Sequence, residues 1–467
     1  MKKNMKKYDL VIIGSGPGGY VAAEHAAKHG LKTLCVEAKD FGGVCLNKGC
    51  IPTKALLNTS KIKQYVLKAE EFGVTGINID NITLDWPKVI ERKNSVVKKL
   101  QMGVQGLLKT AKADMLKGEA KIVDQNTISV NEELINFDNL IIATGSSPRK
   151  FNLPGFAQGY EEGKILTSDE VLNLPRIPDK FTVIGGGVIG IEFAILFAEL
   201  GSKVTILQGV DRILEILDKD ISAEVTKLLL SKGVTIHTDV QIQKYENGQV
   251  YYTKDGTEQS EDFDYCLVSV GRTPSTEIAR NLPIEFAPNG SIITNDKMQT
   301  SIKHIYAIGD CTSKVMLAHS AYKNAVVAVD TILNKPSKMD LLKIPSCIYT
   351  HPQVATVGYT EEQLKEKNIP YYAAKYPFMH LGKALADGKT VGFIKILVSQ
   401  DCGEILGCHI VGEQASNYIS EIALAMENES TIYTLSQTIH PHPTYAEIIW
   451  EVARKIIIEN FSDKDWG

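Results

Sequence analysis

Long apolar runs are missing. No stretch of about 18 or more apolar residues occurs in the 467-residue chain, so no membrane-spanning helix is expected. Charge imbalance is missing too: 51 lysines and arginines face 55 aspartates and glutamates, a net of −4. That near balance gives no electrostatic case for binding nucleic acid or a membrane surface. The opening MKKNMKKYDLVIIGSG puts lysines before an apolar run, as a secretory leader does. The run is too short, however, and breaks into glycines, which suits a buried strand better. Cysteine is scarce, eight in all, and six of them are scattered through apolar or loop contexts at 35, 266, 311, 347, 402 and 408. That is the usage of a reducing compartment, with cytoplasm as the default. Low-complexity segments are absent as well. What remains is a globular composition, 44% apolar and 23% charged, long enough for two to four domains.

Two segments of this chain read alike. Residues 8–37, YDLVIIGSGPGGYVAAEHAAKHGLKTLCVE, run strand, glycine turn, small-residue helix, strand, and residues 180–208, KFTVIGGGVIGIEFAILFAELGSKVTILQ, do the same. In each, G-x-G-x-x-G follows an apolar strand and opens a helix: Gly14, Gly16 and Gly19, then Gly185, Gly187 and Gly190. One such fingerprint is weak evidence; two in matching βαβ contexts are a strong sign of dinucleotide binding. The first glycine permits a tight turn, the second lets phosphates approach the backbone, and the third lets helix and strand pack closely. The helix N-terminus then offers free amides and partial positive charge to a pyrophosphate. At the ribose-reading position stand Glu37 and, at the same offset, Gln208. A neutral amide still hydrogen-bonds a hydroxyl, but it does not repel a 2′-phosphate as a carboxylate does.

Punctuation suggests boundaries. LIIATGSSPRKFNLPG (140–155) is a buried strand ending in Gly, Ser and Pro; CLVSVGRTPST (266–276) repeats that design, and IYAIGDC (305–311) is a further strand ending in Gly-Asp. From IPSCIYTHPQ onward, short alternating strands and then helices near 413–428 and 444–460 read as a separate α+β unit. The expected division is 1–147, 148–276, 277–344 and 345–467.

Cys45 and Cys50 lie five apart in GGVCLNKGC. A metal site wants further Cys or His partners at ligand spacing, and none stands nearby. A structural disulfide closing so short a loop adds little stability. A redox role gains from the sequel CIPTKALLN, which suits a helix start and places Cys50 where free amides stabilise a thiolate. Lys54, four residues on, shares that helical face and adds positive charge, although spacing alone reads it as an ordinary solvated lysine.

GGVCLNKGCIPTKALL resembles the active-site stretch of the flavin-dependent pyridine nucleotide–disulfide oxidoreductases, class I, and within them most of all the branch that oxidises dihydrolipoamide. The resemblance runs the length of the chain, through ATG (143–145), GGGVIGIEF (185–193), VGRTP (270–274), TSIKHIYAIGD (300–310), MLAH (316–319), IYTHPQVATVGYTEEQL (348–364) and HPHPTYAE (440–447). It implies an α/β fold with two Rossmann-like nucleotide-binding domains and a C-terminal α+β dimerisation domain. The parts would be an FAD-binding domain with the redox pair (1–147), an NAD-binding domain (148–276), a central domain returning to FAD (277–344) and the interface domain (345–467).

The resemblance also implies roles. Cys45 is the outer thiol that exchanges with substrate, and Cys50 the inner one that meets a non-covalent FAD. Lys54 and Glu192 match a pair near the reactive edge of the flavin, although Glu192 alone reads as a helix residue completing an ion pair. His442 matches the base and Glu447 its orienting carboxylate; local sequence alone favours a Thr444–Glu447 capping box, and His440 reads as supporting structure. FAD contacts are expected from Gly14, Gly16, Gly19, Glu37, Lys54, Gly118, Ala120, Thr144, Gly145, Asp310 and Ala318. NAD⁺, as co-substrate, is expected at Gly185, Gly187, Gly190, Gln208 and Gly271. A homodimer with shared active sites follows, as does a lipoyl domain of an acyltransferase in a 2-oxoacid dehydrogenase or glycine-cleavage complex as partner.

Val44, Lys48, Thr53 and Gln208 depart from the usual family residues, and Lys48 adds a positive charge between the cysteines. The rivals are a glutathione-reductase-like enzyme, for which arginines are expected near Gln208 and Leu214, and a catalytically silent nucleotide-binding protein. The chain end ENFSDKDWG carries no extra cysteine pair of the kind seen in mercuric and thioredoxin reductases.

Overall fold

The computed structural model describes residues 5–461; the last six residues of the ENFSDKDWG stretch lie outside them. Strand Lys6–Ile13 is buried on both faces. Leu10 and Ile12 point into one core with Ala22, Ala23 and Ala26 of helix Pro17–Lys28, while Tyr8, Val11 and Ile13 point into another. This is the two-sided burial that parallel strands require, and each buried leucine, isoleucine or valine contributes roughly 1.5–3 kcal/mol. The small residues of the helix let it lie close on the sheet. Parallel neighbours of that strand are Thr33–Glu37 and Glu133–Ile142. Strand Ile305–Ala307 returns, far along the chain, to pair with Glu133–Ile142.

The second repeat builds a five-stranded sheet in the order 235–237, 203–207, 180–184, 265–268, 165–166, all parallel. Its helix, Val188–Leu200, is buried almost all round. Both fingerprint loops turn on a left-handed first glycine, Gly14 and Gly185, each at φ 101°. A Cβ there would sit 2.3 Å from the Ala143 oxygen or 2.7 Å from the Ser269 oxygen, so only glycine fits. The two Gly-Ser-Pro punctuation segments meet: Ser146–Pro148 and Arg272–Pro274 form an antiparallel ribbon.

The C-terminal part is a five-stranded antiparallel sheet, ordered 346–348, 353–358, 405–412, 393–399, 371–377. Helices Ala415–Glu427 and Glu447–Asn460 share its core. The last helix starts at Glu447, two residues later than a Thr444 cap predicts, because the Thr444 hydroxyl donates to the Pro441 carbonyl, 2.8 Å away. Between these two helices in the chain lies a short one, Ile432–Gln437, that no motif marks. Among the described residues no helix is long and apolar enough to cross a membrane.

Candidate active site

Cys45 sits in the short helix Gly43–Lys48, and Cys50 is the first residue of helix Cys50–Leu67. The two form a disulfide with Cα atoms 4.7 Å apart. Cys50 therefore does occupy a helix N-terminus, where backbone amides favour a thiolate once the bond is reduced. No group of three or more His, Cys, Asp or Glu able to hold a metal occurs among the described residues. Asn47 braces the short helix by donating to the carbonyls of Gly43 (2.9 Å) and Phe41 (3.1 Å). Thr53 donates its hydroxyl to the Gly49 carbonyl at 2.6 Å, a bond that a serine hydroxyl also makes. Lys48 does not stand alone between the sulfurs: its Nζ lies 3.4 Å from Asp169, on the segment before the second repeat.

The disulfide lines a continuous cavity of about 2030 Å³ that reaches both glycine loops. Gly14, Gly16, Glu37, Gly118 and Ala120 line it on the side of the first loop, with Thr144, Gly145, Asp310 and Ala318 further along. Gly185, Gly187, Gln208 and Gly271 line it at the second loop. Gly19 and Gly190 do not. A Cβ on Gly19 would lie 1.8 Å from the Gly14 oxygen, and one on Gly190 2.2 Å from the Gly185 oxygen. These third glycines serve helix–strand packing. The middle glycines behave oppositely: a Cβ on Gly187 meets nothing within 4 Å, and one on Gly16 meets only the Gly43 Cα, at 3.8 Å.

Side chains at the strand ends brace the loops. Glu37 Oε2 accepts from the Ser15 N–H (2.9 Å) and hydroxyl (2.6 Å), and Oε1 from the Lys39 N–H. In the second loop Gln208 Oε1 accepts from the Gly186 N–H at 2.8 Å. Asp310 accepts from the Ser146 hydroxyl, and Thr144 donates to the Ser275 carbonyl.

Lys54 and Glu192, 138 residues apart, meet at the cavity wall. Lys54 Nζ donates to both carboxylate oxygens at 2.8 Å, and the Tyr349 N–H donates to Oε1 at 3.0 Å. The Lys54 ammonium also lies 4.6 Å from the centre of the Tyr349 ring. Because Glu192 comes from a helix buried nearly all round, its charge needs such partners. Cys347 lines the same wall, its thiol pushed up to about 11 by burial, with Lys54 opposing. No motif marks Cys347, Asp169 or Ser15 as part of this site; each joins it through tertiary contact.

His442 and Glu447 form their own cluster. His442 Nδ1 lies 2.8 Å from Glu447 Oε1, while Glu447 Oε2 accepts from the Thr444 N–H at 2.6 Å. One carboxylate thus holds the imidazole and completes half of a capping box. Burial alone would raise its pKa; the Thr444 N–H and His442 outweigh that and hold it below the usual range. His440 bonds Glu421 at 2.9 Å. Neither His442 nor Glu447 lines the cavity that holds the disulfide. The His442 side chain is 76% exposed.

A disulfide set between two dinucleotide loops, beneath a sheet that recruits a later strand, defines a class. The chain belongs to the pyridine nucleotide–disulphide oxidoreductase family, whose model matches residues 8–325; the dimerisation domain of that family matches residues 344–453. Among curated relatives, the dihydrolipoyl dehydrogenase of Mycoplasma genitalium is 47% identical over 97% of this chain and 100% of its own. The dihydrolipoyl dehydrogenase of Bacillus subtilis is 42% identical over 96% of each. Among solved structures, the HOCl-induced flavoprotein disulfide reductase RclA of Escherichia coli matches with a TM-score of 0.84 and 25% identity, over 96% of this chain and 99% of that one.

Proposed function

We infer that the protein is a dihydrolipoyl dehydrogenase, an oxidoreductase that converts dihydrolipoamide to lipoamide and reduces NAD⁺, with FAD as its resident cofactor. The observation that carries this is the position of the Cys45–Cys50 disulfide on a cavity wall between the two glycine loops. The residues present fit two dinucleotides: the middle glycines leave open space where a Cβ would intrude, and both loops open helices. FAD, when bound, supplies the chemistry that turns a dithiol's electron pair into a hydride for NAD⁺.

The residues would divide the work as follows. A substrate thiolate attacks Cys45 Sγ, breaking the Cys45–Cys50 bond and leaving Cys50 as the thiolate. The second substrate thiolate then attacks the substrate sulfur of that mixed disulfide, closing lipoamide and releasing Cys45. Two protons leave the substrate. Free thiols ionise near pH 8.5, so a base is needed, and His442 takes this role with its Nδ1–H held by Glu447. Lys54, paired with Glu192, would hold positive charge beside the flavin at the cavity wall.

FAD is assigned to residues 1–147 and 277–344, NAD⁺ to 148–276 and the subunit contact to 345–467. The return of strand Ile305–Ala307 to the first sheet and the match to the dimerisation domain support this division. A homodimer in which His442 of one chain serves the cysteines of the other accounts for the exposure of His442 and of Ile439, 94% exposed. The partner outside the dimer is a lipoyl domain of an acyltransferase in a 2-oxoacid dehydrogenase or glycine-cleavage complex. The unpaired cysteines, one of them exposed, suit the cytoplasm. The test compares purified protein with dihydrolipoamide plus NAD⁺ and with glutathione disulfide plus NADPH. Fast turnover only in the first pair is expected, and preference for the second overturns the assignment.

A further inference from the structure

The two glycine loops are braced alike, but their charges differ. In the first, the Glu37 carboxylate accepts the Ser15 N–H; in the second, the Gln208 amide oxygen accepts the Gly186 N–H in the same way. What the amide does not carry is negative charge. The fold returns that charge from seven residues further on: Glu215 Oε2 accepts from Gln208 Nε2 at 2.7 Å, and Glu215 lines the cavity beside it. We propose that Glu215 is the residue that makes this chain select NAD⁺ over NADP⁺, its carboxylate accepting a hydroxyl of the adenosine ribose and repelling a 2′-phosphate.

Three observations support the assignment, which rests on the second loop being the NAD⁺ site. First, both N–H groups of the Gln208 amide are engaged, one by Glu215 and one by the Arg212 carbonyl at 3.1 Å. The amide therefore has no donor left for a phosphate, while the carboxylate keeps acceptor sites for a hydroxyl. Second, Glu215 is the one charged residue among those lining the cavity from segments 207–217 and 240–242. The guanidinium of Arg212, the nearest cation in sequence, is not at the cavity wall: its Nη2 donates to the Glu215 carbonyl at 2.8 Å. Third, a phosphate monoester carries about −1.5 to −2 charges near neutral pH. Placed against Glu215 it meets like charge, with no cation among the residues lining the cavity from these segments, whereas a ribose hydroxyl gains an acceptor.

Glu215 is exposed at the cavity edge, so its replacement leaves the core untouched. The test titrates the full-length holoenzyme calorimetrically with ADP-ribose and with 2′-phospho-ADP-ribose, then repeats both on E215Q and on the double variant Q208E/E215Q. Steady-state KM and kcat for NAD⁺ and NADP⁺ are measured beside them. In E215Q the affinity ratio should shift at least tenfold toward the 2′-phosphorylated ligand, with the NADP⁺ KM falling more than kcat changes. The double variant should restore discrimination. If wild type binds ADP-ribose and E215Q leaves the ratio where it was, the role of Glu215 is overturned. If wild type binds neither ligand, the proposal falls together with the NAD⁺ site on which it rests.

Discussion

Replacing Glu447 with glutamine separates its two contacts and so tests the base. The Thr444 N–H, 2.6 Å from Oε2, can only donate, so the glutamine carbonyl oxygen must take that place. Its NH₂ then faces His442 Nδ1, where the carboxylate oxygen had been 2.8 Å away. The imidazole is driven to accept at Nδ1 and to carry its proton on Nε2, the tautomer that cannot take a proton from a thiol. The lost charge-assisted bond is worth roughly 1.5–3 kcal/mol, or about tenfold to 150-fold in rate. Loss of a positioned base reaches roughly 10²–10⁴. We therefore expect kcat/KM for dihydrolipoamide to fall by about 10² or more in Glu447→Gln. Stability should change by less than about 0.5 kcal/mol, because the contact to Thr444 survives. Glu447→Ala loses both contacts; its activity should fall as far, and its unfolding free energy by about 1 kcal/mol, the usual cost of a lost cap. Stopped-flow reduction of the flavin and urea unfolding measure the two quantities separately. Wild-type turnover in Glu447→Gln, or activity that tracks stability across the two variants, would refute the role given to the carboxylate.

Cys45→Ser should abolish dithiol oxidation while the purified protein stays yellow; retained lipoamide activity would remove Cys45 from the outer position. Gly187→Val places carbons where a Cβ meets nothing within 4 Å, so melting temperature and flavin content should hold while the KM for NAD⁺ rises at least tenfold. Glu199 is buried, and although burial raises its pKa, His351, Lys232 and Ser60 outweigh that and hold it at about 2. A depressed folded pKa means that its contribution, on the order of 3 kcal/mol, is present above the ordinary glutamate value and is lost as pH falls toward about 2. Glu199→Gln should therefore be less stable than wild type at pH 7 in chemical denaturation and should lose less between pH 5 and pH 3; parallel losses would contradict the pairing.

Much of the site was legible because its signals are local. A glycine that must take φ 101°, a proline within the first turn of the cysteine helix and a carboxylate at the end of a strand act within a few residues of themselves. So the two glycine loops and the cysteine helix stand close to where their spacing put them, whereas the His442–Glu447 contact was implied only by the family resemblance. Local logic also misled. The full capping box failed because the Thr444 hydroxyl found the Pro441 carbonyl instead, and the positive charge of Lys48 was drawn to Asp169, 121 residues away.

From its order of residues alone, then, the chain determined the glycine turns, the cysteine helix, the candidates for redox and proton chemistry, and the family those motifs define. Only the tertiary structure decided which of those side chains meet. Helix packing brought Lys54 to Glu192; the loop after strand 203–207 laid Glu215 against Gln208; the C-terminal unit left the His442 side chain exposed and outside the cavity lined by the disulfide. The physical reason is one of range. Backbone preference and helix capping act over three or four residues, whereas a buried charge takes whichever partner the packing of distant elements presents to it.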